Sequence, residues 1–236
     1  MPPPPAPAVP ARPLPAAVLW DMDGTLVDTE PFWMAAEGAL AAEFGLAWTA
    51  EHAARMIGLP LVEAAEVLRA HGVDLVADDV VDRLLGQVVA RVREVVPWQP
   101  GARELLDALG RAGVPCALVT MSYRPLTDAV LAGLPGDTFA VVVPGDVVTH
   151  GKPHPEPYLV AAERLGVDPT ACVALEDSPP GIASALAAGA RTIGVQHIAP
   201  VVARPGLSRV GSLEQVDLEV LGRVVAGDVL DLLPTT

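Results

Sequence analysis

Two aspartates two residues apart, Asp21 and Asp23, close the apolar run Ala16 to Trp20 and are followed at once by Gly24. The run reads as a short buried strand, and the glycine lets the chain turn sharply after it. Strand side chains alternate faces, so carboxylates at two odd positions can point the same way. In a sheet flanked by helices, ligands bind just past the carboxyl ends of the strands, which puts both acids at the mouth of a pocket. Taken singly, an Asp-x-Asp also fits a plain polar strand end. Three later stretches carry complementary groups. Thr120, Met121 and Ser122 end the apolar strand that begins at Pro115. Hydroxyls and backbone N–H groups there can donate to a phosphate oxygen, with Arg124 close behind, although an ordinary strand end reads the same way. Lys152 lies between Gly151 and Pro153 on a restricted backbone, as a positioned cation or as a solvated loop lysine. Glu176 and Asp177 follow the apolar run Ala171 to Leu175. They either cap the next helix or meet Asp21 and Asp23 across the sheet edge.

The intervening segments must position these groups. Apolar residues at Phe32, Ala36, Leu40 and Phe44 predict a helix over Glu30 to Phe44, ended by Gly45. Thr49 caps a second over Glu51 to Ile57, which Gly58-Leu59-Pro60 breaks. Leu61 to His71 and Val80 to Val95 read as two more. No strand is expected from Pro31 to about Val95, so this stretch reads as a small all-α cap inserted after the first strand. Beyond Pro97 the pattern alternates: helix Gly101 to Ala112, strand Pro115 to Thr120, helix Pro125 to Leu131, strand Phe139 to Val143, helix Glu156 to Leu165, strand Ala171 to Leu175, helix Pro180 to Ala188, strand Thr192 to Val195. Such alternation implies right-handed βαβ units. The expected fold is α/β: a Rossmann-like parallel sheet with helices on both faces, formed by residues 16–29 and 97–236, with the cap at 30–96. Leu213 to Leu233 is read as one helix or two. Residues 1–15, mainly Pro and Ala, read as a flexible tail rather than a secretory signal.

Composition narrows the function. The 236 residues are 51% hydrophobic, enough for a large core and two domains. A formal net charge of −14 argues against nucleic acid and acidic membrane surfaces as partners. No apolar run has the length of a membrane span. An acidic enzyme with an anionic substrate then needs local positive charge or a divalent cation in its pocket. Cys116 and Cys172 lie in apolar runs and read as buried, unreactive thiols, which suits a reducing cytoplasm. The five histidines are read as lying apart, with no zinc site expected.

The string Asp-Met-Asp-Gly-Thr-Leu-Val-Asp-Thr-Glu, residues 21–30, directly after a hydrophobic strand, resembles the first motif of the haloacid dehalogenase superfamily, mostly phosphatases and related phosphoryl-transfer enzymes. Thr120 matches the second motif, with Met121 where many members have Asn. Lys152-Pro153-His154-Pro155-Glu156-Pro157-Tyr158 matches the third. Glu176-Asp177-Ser178-Pro179-Pro180-Gly181-Ile182 matches the fourth, which binds metal. The four occur in the family's order, and the resemblance runs from Ala16 to about Val195. The helical insert is similar to the cap of the subgroup that includes β-phosphoglucomutase and many small-metabolite phosphatases.

The resemblance implies roles. Asp21 is the nucleophile and forms an aspartyl-phosphate; Asp23 protonates the leaving alcohol and then activates water. Asp21, the backbone carbonyl of Asp23, Glu176 and Asp177 hold Mg2+. Thr120, Met121, Ser122 and Lys152 bind the phosphoryl group. Asp23 also separates the chain from dehalogenases, which have an aromatic residue there, and from phosphonate-cleaving members, which have Ala. The expected activity is hydrolysis of a small phosphorylated metabolite by a cytoplasmic monomer or weak homodimer. A sugar-phosphate mutase is the alternative, but mutases carry a His where this chain has Trp33 and an Arg shortly after a Gly-Val-Ser string, a region that here reads Gly58-Leu59-Pro60-Leu61-Val62. Without a cationic clamp a second phosphate is held poorly. A phosphate-binding regulatory protein without turnover is a third reading, which usually requires loss of a catalytic acid or of the lysine.

Overall fold

The computed structural model describes residues 13–56 and 59–233. The tail expectation for residues 1–12, and Ile57 and Gly58 where the second helix is expected to end and break, lie outside the described residues.

The first strand, β1 (Ala17–Trp20), is buried along its whole length. Its alternation feeds two separate cores. Val18 and Trp20 join a cluster on one sheet face, and Ala17 and Leu19 join another on the opposite face. A strand covered on both faces needs a continuous apolar run rather than an alternating one, which is what Ala16 to Trp20 supplies.

Four helices follow: α1 (Glu30–Glu43), α2 (Ala50–Ala54), α3 (Leu61–His71) and α4 (Ala77–Glu94). Their apolar faces (Ala36 and Leu40 of α1, Leu68 of α3, Leu84 and Val88 of α4) pack into the larger core cluster. Thr49 caps α2 through a reciprocal box with His52. No strand lies among the described residues of this segment.

The alternating part comprises α5 (Ala102–Ala112), β2 (Cys116–Val119), α6 (Arg124–Leu131), β3 (Val141–Val143), α7 (Glu156–Leu165), β4 (Cys172–Glu176), α8 (Pro179–Ala187) and β5 (Arg191–Val195). The C-terminal region departs from the sequence expectation. A strand β6 (Leu207–Val210) precedes it, and Leu213 to Leu233 holds a 3-10 turn, one α-helix, α9 (Leu218–Val225), and a short strand, β7 (Asp231–Leu232). The seven strands form one parallel sheet in the order β3-β2-β1-β4-β5-β6-β7. The chain leaves β1 toward β2 on one side and returns to β4 on the other, so β1 marks the switch point where a crevice opens. No described helix is long and apolar enough to cross a membrane.

Candidate active site

Register brings the motifs together. Trp20 pairs with Leu118 of β2 and with Leu175 of β4. The next residues along the three strands, Asp21, Val119 and Glu176, therefore reach the carboxyl edge side by side. Asp21 donates its N–H to Leu175 O at 3.0 Å, so the aspartate begins where the ladder ends. Beyond it the chain folds back on itself: Gly24 donates to Val27 O at 2.8 Å, and Leu26 and Val27 donate to Met22 O at 2.9 and 3.0 Å. Gly24 has φ +89°, and a Cβ there would lie 2.2 Å from Asp177 Oδ2. Only glycine combines that backbone with so close a carboxylate.

Lys152 is the hub. Its ammonium donates to Asp21 Oδ1 and Glu176 Oε1, both at 2.5 Å, and to Val119 O at 3.0 Å. Its side chain is 4% exposed. Burial alone would push the lysine down, but Asp21 and Glu176 outweigh it and hold the ammonium above its ordinary range. Glu176 is fully buried and also accepts from the Tyr158 hydroxyl at 2.8 Å and from Ser178 Oγ at 3.1 Å. Asp177 accepts from Thr25 Oγ1 at 3.2 Å.

Ligand oxygens of Asp21, Glu176 and Asp177 lie within 4.8 Å of one another. Burial first, and then the Glu176 charge, raises both Asp21 and Asp177, the latter to about 7. Three carboxylates with one lysine leave an excess of buried negative charge, and an all-oxygen cluster of this kind fits a hard divalent cation. The residues present therefore suit Mg2+.

Asp23 sits apart from the lysine. Its carboxylate accepts from Thr29 Oγ1 at 2.5 Å, Ser122 Oγ at 2.7 Å and Thr120 Oγ1 at 3.3 Å. Thr120 Oγ1 itself accepts the Ser122 N–H at 3.0 Å. Met121 packs its sulfur against the lysine loop, where the Lys152 N–H reaches it at 3.2 Å. All eight candidate residues thus meet at one sheet edge. Arg124 does not join them: it is exposed at the start of α6, 3.9 Å from Asp128.

Three further residues bear on the site without having been singled out from the sequence. Thr25 and Thr29 stand inside the first motif, Tyr158 inside the third, and all three are identifiable only as motif members until their hydroxyls are seen on Asp177, Asp23 and Glu176. Glu37, in α1, was not singled out either. It is 4% exposed on α1, and one carboxylate oxygen has no hydrogen-bond partner among the described residues. Burial and the Glu30 charge push its carboxyl up to about 8, and the Trp48 indole partly offsets them. The expectation of scattered histidines also needs correction. His150 and His154 stand at His-x3-His spacing and lie beside Glu156.

The class is thus an α/β protein with a parallel sheet and a lysine-bridged carboxylate cluster at its switch point. The family model for haloacid dehalogenase-like hydrolases matches residues 15–189, and the chain belongs to that family. It is 36% identical over 206 residues to hexitol phosphatase A of Escherichia coli, covering 84% of this chain and 91% of that protein. Hexitol phosphatase B of the same organism is 32% identical over 192 residues, covering 75% and 82%. Among solved structures, CbbY from Rhodobacter sphaeroides in complex with phosphate superposes with a TM-score of 0.77 at 28% identity, covering 86% of this chain and 96% of that one.

Proposed function

We propose that the protein is a Mg2+-dependent phosphatase that hydrolyses the phosphate monoester of a small polyhydroxylated metabolite, of the hexitol or sugar phosphate type, through an aspartyl-phosphate on Asp21. The observation that carries this reading is the Lys152 bridge from Asp21 to Glu176 with Asp177 beside it. It supplies a buried carboxylate at a strand end with a cation against it, the arrangement a nucleophile needs when its target is an anion.

In this mechanism an Asp21 oxygen forms a bond to phosphorus as the ester oxygen leaves. Asp23 gives that oxygen its proton, then takes one from the water that cleaves the acyl phosphate, returning Asp21 and releasing inorganic phosphate. The Thr29, Ser122 and Thr120 hydroxyls hold the Asp23 carboxylate until substrate arrives. Lys152 and the donors at Thr120, Met121 and Ser122 bind the equatorial phosphoryl oxygens. Mg2+, held by Asp21, Glu176, Asp177 and the backbone carbonyl of Asp23, would neutralise charge on the transferring group.

Residues 30–96 serve as the cap that selects the leaving group. Trp33 stands where mutases carry a His, and the segment Gly58-Leu59-Pro60-Leu61-Val62 holds no Arg, which together favour phosphatase over mutase. The names of the hexitol phosphatase relatives support that substrate class. Two free buried thiols suit a reducing cytoplasm.

The test is release of inorganic phosphate from a panel of hexitol, hexose, nucleotide and β-glucose 1-phosphates with and without Mg2+. Turnover of a hexitol or sugar phosphate to free phosphate is the expected result. Glucose 6-phosphate as the main product from β-glucose 1-phosphate overturns the phosphatase assignment, and absence of turnover on every substrate overturns the enzymatic one.

A further inference from the structure

The loop that carries Lys152 holds a second group of metal-binding side chains, outside the carboxylate cluster. His150 and His154 flank the lysine in sequence, and Glu156 opens α7 just beyond. Ligand atoms from the three lie within 4.8 Å of one another, and the imidazole centroids are 4.6 Å apart. We propose that His150, His154 and Glu156 form a second metal site, for a divalent transition-metal ion of the Zn2+ class.

The carboxylate is already fixed. Glu156 accepts the Thr149 N–H at 2.6 Å on one oxygen and the His150 N–H at 3.0 Å on the other. Both imidazole Nδ1 atoms face that second oxygen, His150 at 2.8 Å and His154 at 3.9 Å. His154 Nδ1 accepts the Glu156 backbone N–H at 3.2 Å, a bond that an ion taking this lone pair must replace. His150 Nδ1 lies 2.8 Å from the Glu156 carboxylate; an ion entering here would replace both contacts and take the lone pair of each ring. The two histidine side chains are about half exposed or more, so small rotations bring three donors to bonding distance without disturbing a core.

The donor set decides which metal. Two imidazole nitrogens and one carboxylate suit Zn2+, Ni2+ or Cu2+, whereas Mg2+ prefers oxygen alone. Three protein ligands leave a fourth position for water. The two sites on this chain are thus chemically distinct: a hard oxygen cluster around Asp21, and a nitrogen-rich one on the outer side of the lysine loop. An ion in the second ties both ends of Gly151-Lys152-Pro153 together. The inference stands on the loop geometry alone and does not depend on the substrate or mechanism proposed above.

The experiment is calorimetric titration of Zn2+ in buffer holding excess Mg2+, with wild type, His150→Ala, His154→Ala and Asp177→Asn, each first shown folded by circular dichroism. Wild type should take up one Zn2+ that Mg2+ does not displace. Either histidine variant should weaken that uptake by about tenfold or more, and Asp177→Asn should leave it unchanged. No uptake by wild type at micromolar Zn2+, or wild-type affinity in both histidine variants, overturns the site. So does loss of the uptake in Asp177→Asn alone, which would put the ion in the carboxylate cluster.

Discussion

Asp21 and Asp23 differ in what their carboxylates touch, and the contacts separate their contributions. Asp21 faces a lysine; Asp23 faces three hydroxyls. Asp21→Asn keeps the shape but removes the attacking oxygen, and kcat should fall at least a thousandfold, about 4 kcal/mol; turnover within tenfold of wild type would count against the assigned role. Asp23→Asn retains its backbone carbonyl and spares the first step for a substrate with a good leaving group. With p-nitrophenyl phosphate it should give a burst of nitrophenolate approaching one equivalent per enzyme, then slow turnover, and with an alkyl phosphate almost none. Stopped-flow or rapid-quench kinetics resolves this: equal bursts from both esters would show that Asp23 is not the general acid. Lys152→Met carries a stability consequence as well. It strands Asp21 and Glu176 as buried carboxylates without their shared cation, a loss of about 3–5 kcal/mol. An unchanged urea midpoint in Mg2+-free buffer would contradict that account of the bridge.

On the scale of one element, α1 links the catalytic loop to the helical segment. Thr29, just before its first turn, bonds Asp23, and the same helix buries Glu37 two turns on. The Glu37 carboxyl rises from an ordinary value of 4.5 to about 8, chiefly through burial. A carboxyl raised in the folded state binds more protons there than in the unfolded chain. Stability should therefore fall as pH climbs from 4.5 to about 8 and level off above. Glu30, on the same helix and raised to about 7 by burial and the Asp23 charge, adds to the slope. Glu37→Gln removes its own part of that slope. Within the window the variant should gain on wild type by up to about 1.4 kcal/mol for every pH unit climbed. Urea unfolding of both proteins on either side of the window measures the difference. Parallel pH profiles would show that Glu37 has a partner in the fold after all.

For the whole molecule, a net charge of −14 and a site with three clustered carboxylates both oppose an anionic substrate. The proposed divalent cation would act on the fold as well as on the chemistry, because it would bind the native cluster and not the unfolded chain. At a hundredfold excess over its Kd, Mg2+ should add about 2.7 kcal/mol of stability, reversed by a chelator and absent in Asp177→Asn. A melting temperature indifferent to Mg2+ in wild type would remove the cluster as the metal site.

How much of this was legible in the residues depends on the range of the interactions. β1, the turn at Gly24 and the eight candidate site residues are local: an apolar run covered on both faces, and polar groups at strand ends, are written in adjacent positions. The same holds for α1 to α5, whose apolar spacing sets their packing faces. β6 and β7 were not legible, since Leu207-Ser208-Arg209-Val210 and Asp231-Leu232 are too short and too polar to signal a strand. They exist because Thr192 pairs with Leu207 and Arg209 with Asp231 across the sheet. The His-x3-His spacing of His150 and His154 was legible in the sequence, and the structure adds their approach to Glu156. Only the tertiary structure could decide that Arg124 lies at the surface, that Thr29 holds Asp23 and that Glu37 is buried with an unpartnered oxygen. Each of these is a relation in space between side chains, fixed by how strands register and helices dock, and chain order alone carries no record of it.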